Sequence, residues 1–246
     1  KMSLTQAMYA ATIGATNNQL RMDVLANNLA NISTPGFKQD RLVFRVPVEA
    51  EKAGDSNTDY LQGPSSPMPS GARTDFSQGG LSKTDNALDL ALNGTGFFCI
   101  KTPGGTHYTR NGSFSINADG VLATKGGLPV LGKGGEIKIN GSDVHVDERG
   151  TVSVDGTEVG ALKLVTVSQP DSLKKMGNAL FAGGSDEKEA DGVKIRQGYI
   201  ETSNVNAVRM MTEMIDLSRG YESYQKMIQS LDDAAKKSIS DVGRLA

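Results

Sequence analysis

The run Gly127-Leu128-Pro129-Val130-Leu131-Gly132-Lys133-Gly134 places two glycines and a lysine at the spacing of a phosphate-cradling loop. That chemistry needs a Ser or Thr after the lysine to hold Mg²⁺, and a helix to follow. Gly134 takes the hydroxyl's place and no helical pattern follows, so the run reads as a hairpin. Ser115 to Gly126 superficially matches a calcium loop, but it starts on Ser and ends on Gly where a bidentate Glu is required. His107 and His145 lie far apart without a third ligand at metal-binding spacing. His145-Val146-Asp147 could orient an imidazole, although alternate residues on a strand share a face in any case. The single cysteine, Cys99, sits in the apolar run Phe97-Phe98-Cys99-Ile100 and reads as a buried thiol rather than a nucleophile. No Gly-x-Ser-x-Gly elbow occurs, and the acidic residues are scattered over turns rather than paired in an apolar setting. No catalytic site, cofactor or metal is expected.

What remains is chemistry of contact. The stretch from Ala26 to Lys38 carries Asn27, Asn28 and Asn31 where a solvated helix would carry charge, and Pro35-Gly36 breaks it. Upstream, Leu4, Met8, Ala11, Ala15, Asn18, Met22, Leu25, Leu29 and Ile32 alternate steps of four and three, the seam of a coiled coil. Between Ser3 and Ile32 the only charges are Arg21 and Asp23, a depletion typical of interfaces. The same seam returns as Ala207, Met210, Met214, Leu217, Tyr221, Tyr224, Ile228, Leu231, Ala235, Ser238 and Val242. Ser203 or Asn204 is expected to cap that helix. Tyr221 and Tyr224 fall on the seam, so they read as packing residues rather than a ligand-stacking pair. The two seams are expected to bury each other, with further copies of the chain covering the rest.

Between the helices, residues 38–80 read as a linker or extended arm, with Pro47, Pro64, Pro67 and Pro69 among small polar residues. Residues 81–203 read as β, with short β-prone runs separated by Asn111-Gly112, Asp119-Gly120, Asn140-Gly141 and Asp155-Gly156. Such pairs supply the positive φ of hairpin turns. The fold class is α+β: a helical domain split between 1–37 and 204–246, and a Gly-rich, mainly antiparallel barrel or sandwich.

The 246 residues suffice to bury a core, and the formal net charge of -2 gives no reason to expect nucleic acid or an anionic membrane. No apolar run approaches the length of a membrane span, and no cleavable secretory signal is evident.

Several motifs, in order, resemble the axial proteins of the bacterial flagellar basal body, which form the rod and hook. Leu25 to Lys38 is similar to that family's N-terminal signature. Leu88 to Phe98 and Tyr108 to Phe114 are similar to its core-domain motifs, and Gln197 to Asn206 to the entry of its C-terminal helix. The length suits rod members with one β domain, and the segments Thr74–Gly80 and Tyr221–Arg244 look more like the proximal than the distal rod branch. The resemblance implies a non-enzymatic, torque-transmitting subunit in the periplasm-spanning rod. Its partners would be other copies, neighbouring rod proteins and the flagellar type III export apparatus, with no cleaved signal. Assembly residues are expected at Leu4, Met8, Met22, Leu25, Asn27, Asn28, Leu29, Asn31 and Ile32. On the second helix they are expected at Asn204, Asn206, Met210, Met214, Leu217, Tyr221, Tyr224, Ile228 and Leu231. The competing reading is a secreted β-domain that binds carbohydrate or peptidoglycan, with helices serving only for oligomerisation.

Overall fold

A computed structural model describes residues 4–45, 68–183, 186–190 and 192–243. Most of the expected linker, 46–67, lies outside them, as do the side chains of Ser238 and Val242. The chain divides into two compact units: 1–29, 40–73 and 206–246 form one, and 30–39 with 74–205 the other.

The first unit holds two helices, α1 (Leu4–Ala30) and α2 (Ala207–Gly243), and a ribbon of β1 (Asp40–Arg45) and β2 (Met68–Thr74). Asn206 caps α2: its Oδ1 accepts from the Arg209 amide at 3.0 Å. Neither Ser203 nor Asn204 does so, because Ser203 Oγ accepts from Val205 N and Asn204 is bonded elsewhere. On the exposed face of α2, Lys236 pairs with Asp232 one turn earlier at 2.7 Å. The ribbon alternates, with Leu42 and Phe44 half-buried and Arg41, Val43 and Arg45 exposed.

The second unit is antiparallel β throughout its paired strands, so the chain is α+β. β3 (Leu81–Lys83) pairs with Tyr199–Glu201, and β4 (Leu90–Asn93) with Lys194–Gln197. The largest sheet has six strands in the order Lys174–Lys175, Leu180–Ala182, β6 (Gly105–Thr109), β5 (Phe97–Thr102), Leu164–Val167, Glu187–Glu189. It is open, and no sheet closes on itself among the described residues. β5 is buried on both faces. Phe98 and Ile100 enter a cluster with Leu90, Phe114, Leu122 and Val152, while Phe97 and Cys99 enter another with Tyr108, Val165 and Phe181. That alternation follows from the two-residue period of a strand.

The hairpin turns divide. Gly120 and Gly156 have φ of 73° and 81°, as their Asp-Gly pairs imply. Gly112 and Gly141 are not left-handed; glycine is needed there because a Cβ would strike the Leu90 carbonyl oxygen and the Asp155 side chain respectively. The P-loop-like run is a hairpin, Leu131–Gly132 pairing with Gly135–Glu136. The calcium-like loop is an Asx turn in which Asn117 Oδ1 accepts from the Asp119 and Val121 amides.

Candidate assembly site

In the first unit the seam residues form the covered faces of both helices. Ala11, Ala15 and Leu25 of α1 and Met210 and Leu217 of α2 are buried. Met8, Met22, Leu29, Met214, Tyr221, Tyr224, Ile228 and Leu231 are half-buried, and Leu4, near the end, is exposed; Ile32, past the end of α1, belongs to the second unit and is half-buried. Two glycines set the approach. A Cβ at Gly14 would run into the Tyr224 ring, and one at Gly220 would lie 2.6 Å from Asn18 Nδ2. Asn18 donates in turn to the Leu217 carbonyl at 3.4 Å. Residues 14 and 18 therefore meet 224 and 217–220, so the helices run antiparallel. The absence of a side chain at Gly14 makes room for the tyrosine, large against small as packed cores require.

Asn28 is fully buried and binds the backbone of Asp40 twice: its Nδ2 donates to the carbonyl and its Oδ1 accepts the amide, both at 2.8 Å. The side chain imitates a neighbouring strand and fixes the start of β1. Arg21 lies over the Phe44 ring at 4.4 Å, holding the ribbon's inner face to α1. Asn27 is exposed and Asn31 half-buried.

The second unit contains a buried charged junction. Lys38 Nζ lies 2.5 Å from Glu201 Oε1, both side chains at 0% exposure. Arg110 Nη1 reaches Glu201 Oε2 at 3.4 Å. Lys38 also donates to the Ser77 carbonyl at 2.6 Å, and Glu201 Oε1 accepts from the Gly79 amide at 2.9 Å. Burial lowers the basicity of both Lys38 and Arg110, and Glu201 opposes that in each case. Arg110 stacks 5.3 Å from Phe97, and its Nε has no hydrogen-bond partner among the described residues.

Backbone threads the same place. Gly36, at φ 67°, lies against the 110–111 peptide and donates to the Glu201 carbonyl at 2.7 Å. Asn204 Oδ1 accepts the Gln39 amide, while its Nδ2 donates to the Asp75 carbonyl, at 2.8 Å each. Lys175 donates to the Lys38 carbonyl and lies 4.3 Å from the Phe37 ring. Asn28 and Asn204 thus hold the chain's own backbone in place.

Lys38, Glu201, Arg110, Gly14 and Gly220 are packing and ion-pair positions that sequence reasoning did not single out. A signal existed for the first three: each is a charged residue inside one of the motifs that carry the family resemblance. Elsewhere, an open cleft of about 480 Å³ is lined by Lys133, Glu148, Arg149, Glu189 and Lys194. Lys194 pairs there with Glu148 at 2.7 Å, and Lys133 with Glu189. Among the described residues no group of His, Cys, Asp and Glu could hold a metal, and no helix is long and apolar enough to cross a membrane.

Three family models match these regions. Residues 8–38 match the flagella basal body rod protein, 91–154 the flagellar hook protein FlgE/F/G D1 domain, and 196–241 the flagellar basal body rod FlgEFG protein C-terminal. The chain is 34% identical to the flagellar basal-body rod protein FlgF of Caulobacter vibrioides, covering 98% of this chain and all of that one. It is also 34% identical to FlgG of the same organism, over 92% and 95% of the two chains. FlgG of Bacillus subtilis is 31% identical over 96% and 99%. With every one of the three matched regions falling on a helix or strand described above, and full-length relatives on both sides, the chain belongs to the flagellar basal-body rod protein family.

Proposed function

We propose that this chain is a structural subunit of the bacterial flagellar basal-body rod, built in alongside other copies of itself and neighbouring rod proteins. The observation that carries the reading is the order of the matches: α1 through Lys38, the β unit and α2 each correspond to a rod-family region, in chain order. The terminal helices act as the assembly domain, their seams forming a coiled coil, and the β unit is a sandwich-like body sharing β5 as its wall. Polymerisation is helical and the assembled rod transmits torque without turnover of any substrate. Delivery is through the flagellar type III export apparatus, into the periplasm-spanning rod. The similarity of its C-terminal segment to the proximal branch favours a place in the proximal rod.

Rescue of a strain lacking only this gene tests the function. Re-expression should restore swimming, and basal bodies purified from the rescued strain should carry complete rods. Complete rods in the unrescued deletion strain would refute the reading.

A further inference from the structure

The chain carries three Asn-Gly pairs, at 93–94, 111–112 and 140–141, all in the β unit. Asparagine before glycine is chemically labile, because glycine has no Cβ to shield its own amide nitrogen. That nitrogen attacks the asparagine Cγ: a C–N bond forms, the nitrogen gives up its proton to solvent base, and ammonia leaves. Water then opens the resulting cyclic imide at either carbonyl, leaving aspartate or isoaspartate. The reaction needs a free glycine amide and a side-chain amide able to swing over it, so the fold sets its rate.

The three pairs differ in both respects. Asn111 Oδ1 accepts the Ser113 amide at 3.0 Å, and Gly112 is buried, with the Leu90 carbonyl oxygen filling the place of its missing Cβ. Asn93 stands in the β4 ladder opposite Lys194, and the Gly94 amide donates to Gln78 Oε1 at 3.3 Å. At 140–141 neither restraint exists. Both residues are exposed and lie outside any strand. Neither the Asn140 side chain nor the Gly141 amide has a hydrogen-bond partner among the described residues. We propose that Asn140 is a self-modifying site, converting to aspartate and isoaspartate in the folded chain while Asn93 and Asn111 are protected. Packing builds the lability in, since a Cβ at Gly141 would strike the Asp155 carboxylate and the Val154 side chain. The product adds a carboxylate to a loop that already holds Asp143, whose amide donates to Asp155 Oδ1 at 3.1 Å. Isoaspartate also lengthens by one backbone carbon a loop pinned between buried Ile139 and Val144. This inference is independent of the rod-subunit reading.

Ageing the purified full chain in mildly alkaline buffer at body temperature, with peptide mapping by mass spectrometry at intervals, tests this. The amide-to-acid mass gain should appear at Asn140 at least about tenfold faster than at Asn93 or Asn111, the rate equivalent of one hydrogen bond. In urea, where the restraints are gone, the three asparagines should react at similar rates. Asn140→Ser should abolish the first acidic species seen on ion exchange and leave the melting temperature unchanged. Gln78→Ala, which frees the Gly94 amide, should speed Asn93 while leaving Asn140 as it was. Equal rates at Asn140 and either other site in the folded chain would overturn the proposal, as would an order that persists in urea. An acidic species that survives Asn140→Ser would place the modification elsewhere and overturn it too.

Discussion

Glu201 faces two cations with no solvent to share the load. Converting it to Gln leaves Lys38 and Arg110 buried without a carboxylate, a loss of about 3–5 kcal/mol where a buried partner is removed. Urea unfolding of the chain should register it in the β signal. Lys38→Met keeps the Arg110–Glu201 contact and should cost less. The pH response separates the groups further. Burial lowers the Lys38 pKa from 10.5, so the unfolded chain binds its proton more tightly, and this group makes stability rise with pH up to about 10.5. Burial raises the Cys99 thiol from 9.0 to about 12, so there the unfolded chain loses its proton first. Its contribution is intact below pH 9 and is lost as pH climbs toward 12. Tyr108, raised by burial and by its hydrogen bond to Glu187, acts in the same direction as Cys99. Melting curves from pH 8 to 11 should therefore decline less steeply for Cys99→Ala than for the parent, and more steeply for Lys38→Met.

At the scale of elements, the helices were the most legible part of the sequence, because a seam is a local repeat. Met210, Leu217, Ala11 and Ala15 stand on covered faces as their spacing implies. Gly14 and Gly220 were not legible, since glycine within a helical pattern reads only as a propensity cost, and its reason lies on the other helix. This gives a sign reversal to measure. In a free helix Gly14→Ala gains about 1 kcal/mol. Here the added methyl meets the Tyr224 ring, and overpacking costs roughly 1–3 kcal/mol. Gly14→Ala should lower the helical melting temperature in the parent chain and raise it in a Tyr224→Ala background. A rise in both would mean that the ring does not rest on Gly14 in solution. The hairpin turns show the same limit in β form: Asp-Gly at 119–120 and 155–156 was legible as a turn, whereas Gly112 is required by the Leu90 carbonyl, twenty-two residues away.

The molecule as a whole turns on a segment that follows α1 in sequence but bonds to distant residues. Residues 30–39 follow directly on α1 and share its motif, up to and past the break at Pro35-Gly36. Their bonds place them in the β unit: Gly36 to Glu201, Lys38 to Glu201 and Ser77, Gln39 to Asn204 and Asp75. The partners of Lys38 and Arg110 lie 163 and 91 residues along the chain, a separation at which a single sequence carries no pairing signal. The consequence is a folding dependence. A fragment of residues 30–205 keeps the whole junction while lacking both terminal helices, and it should unfold cooperatively with dispersed amide resonances. A fragment of 74–205 loses Lys38 from the Glu201 pocket, opens the place of Phe37 and leaves the Gly79–Asn204 loops without their third strand of contacts. The lost Lys38 partner and the lost contacts of residues 30–39 together remove a large share of the stability of an ordinary domain. That shorter fragment should be unfolded or molten at room temperature, and a synthetic 30–39 peptide added in excess should bring back part of its dispersion. If 74–205 instead melted at the same temperature as 30–205, the junction would be a passive seat for the N-terminal signature and not a component of the fold.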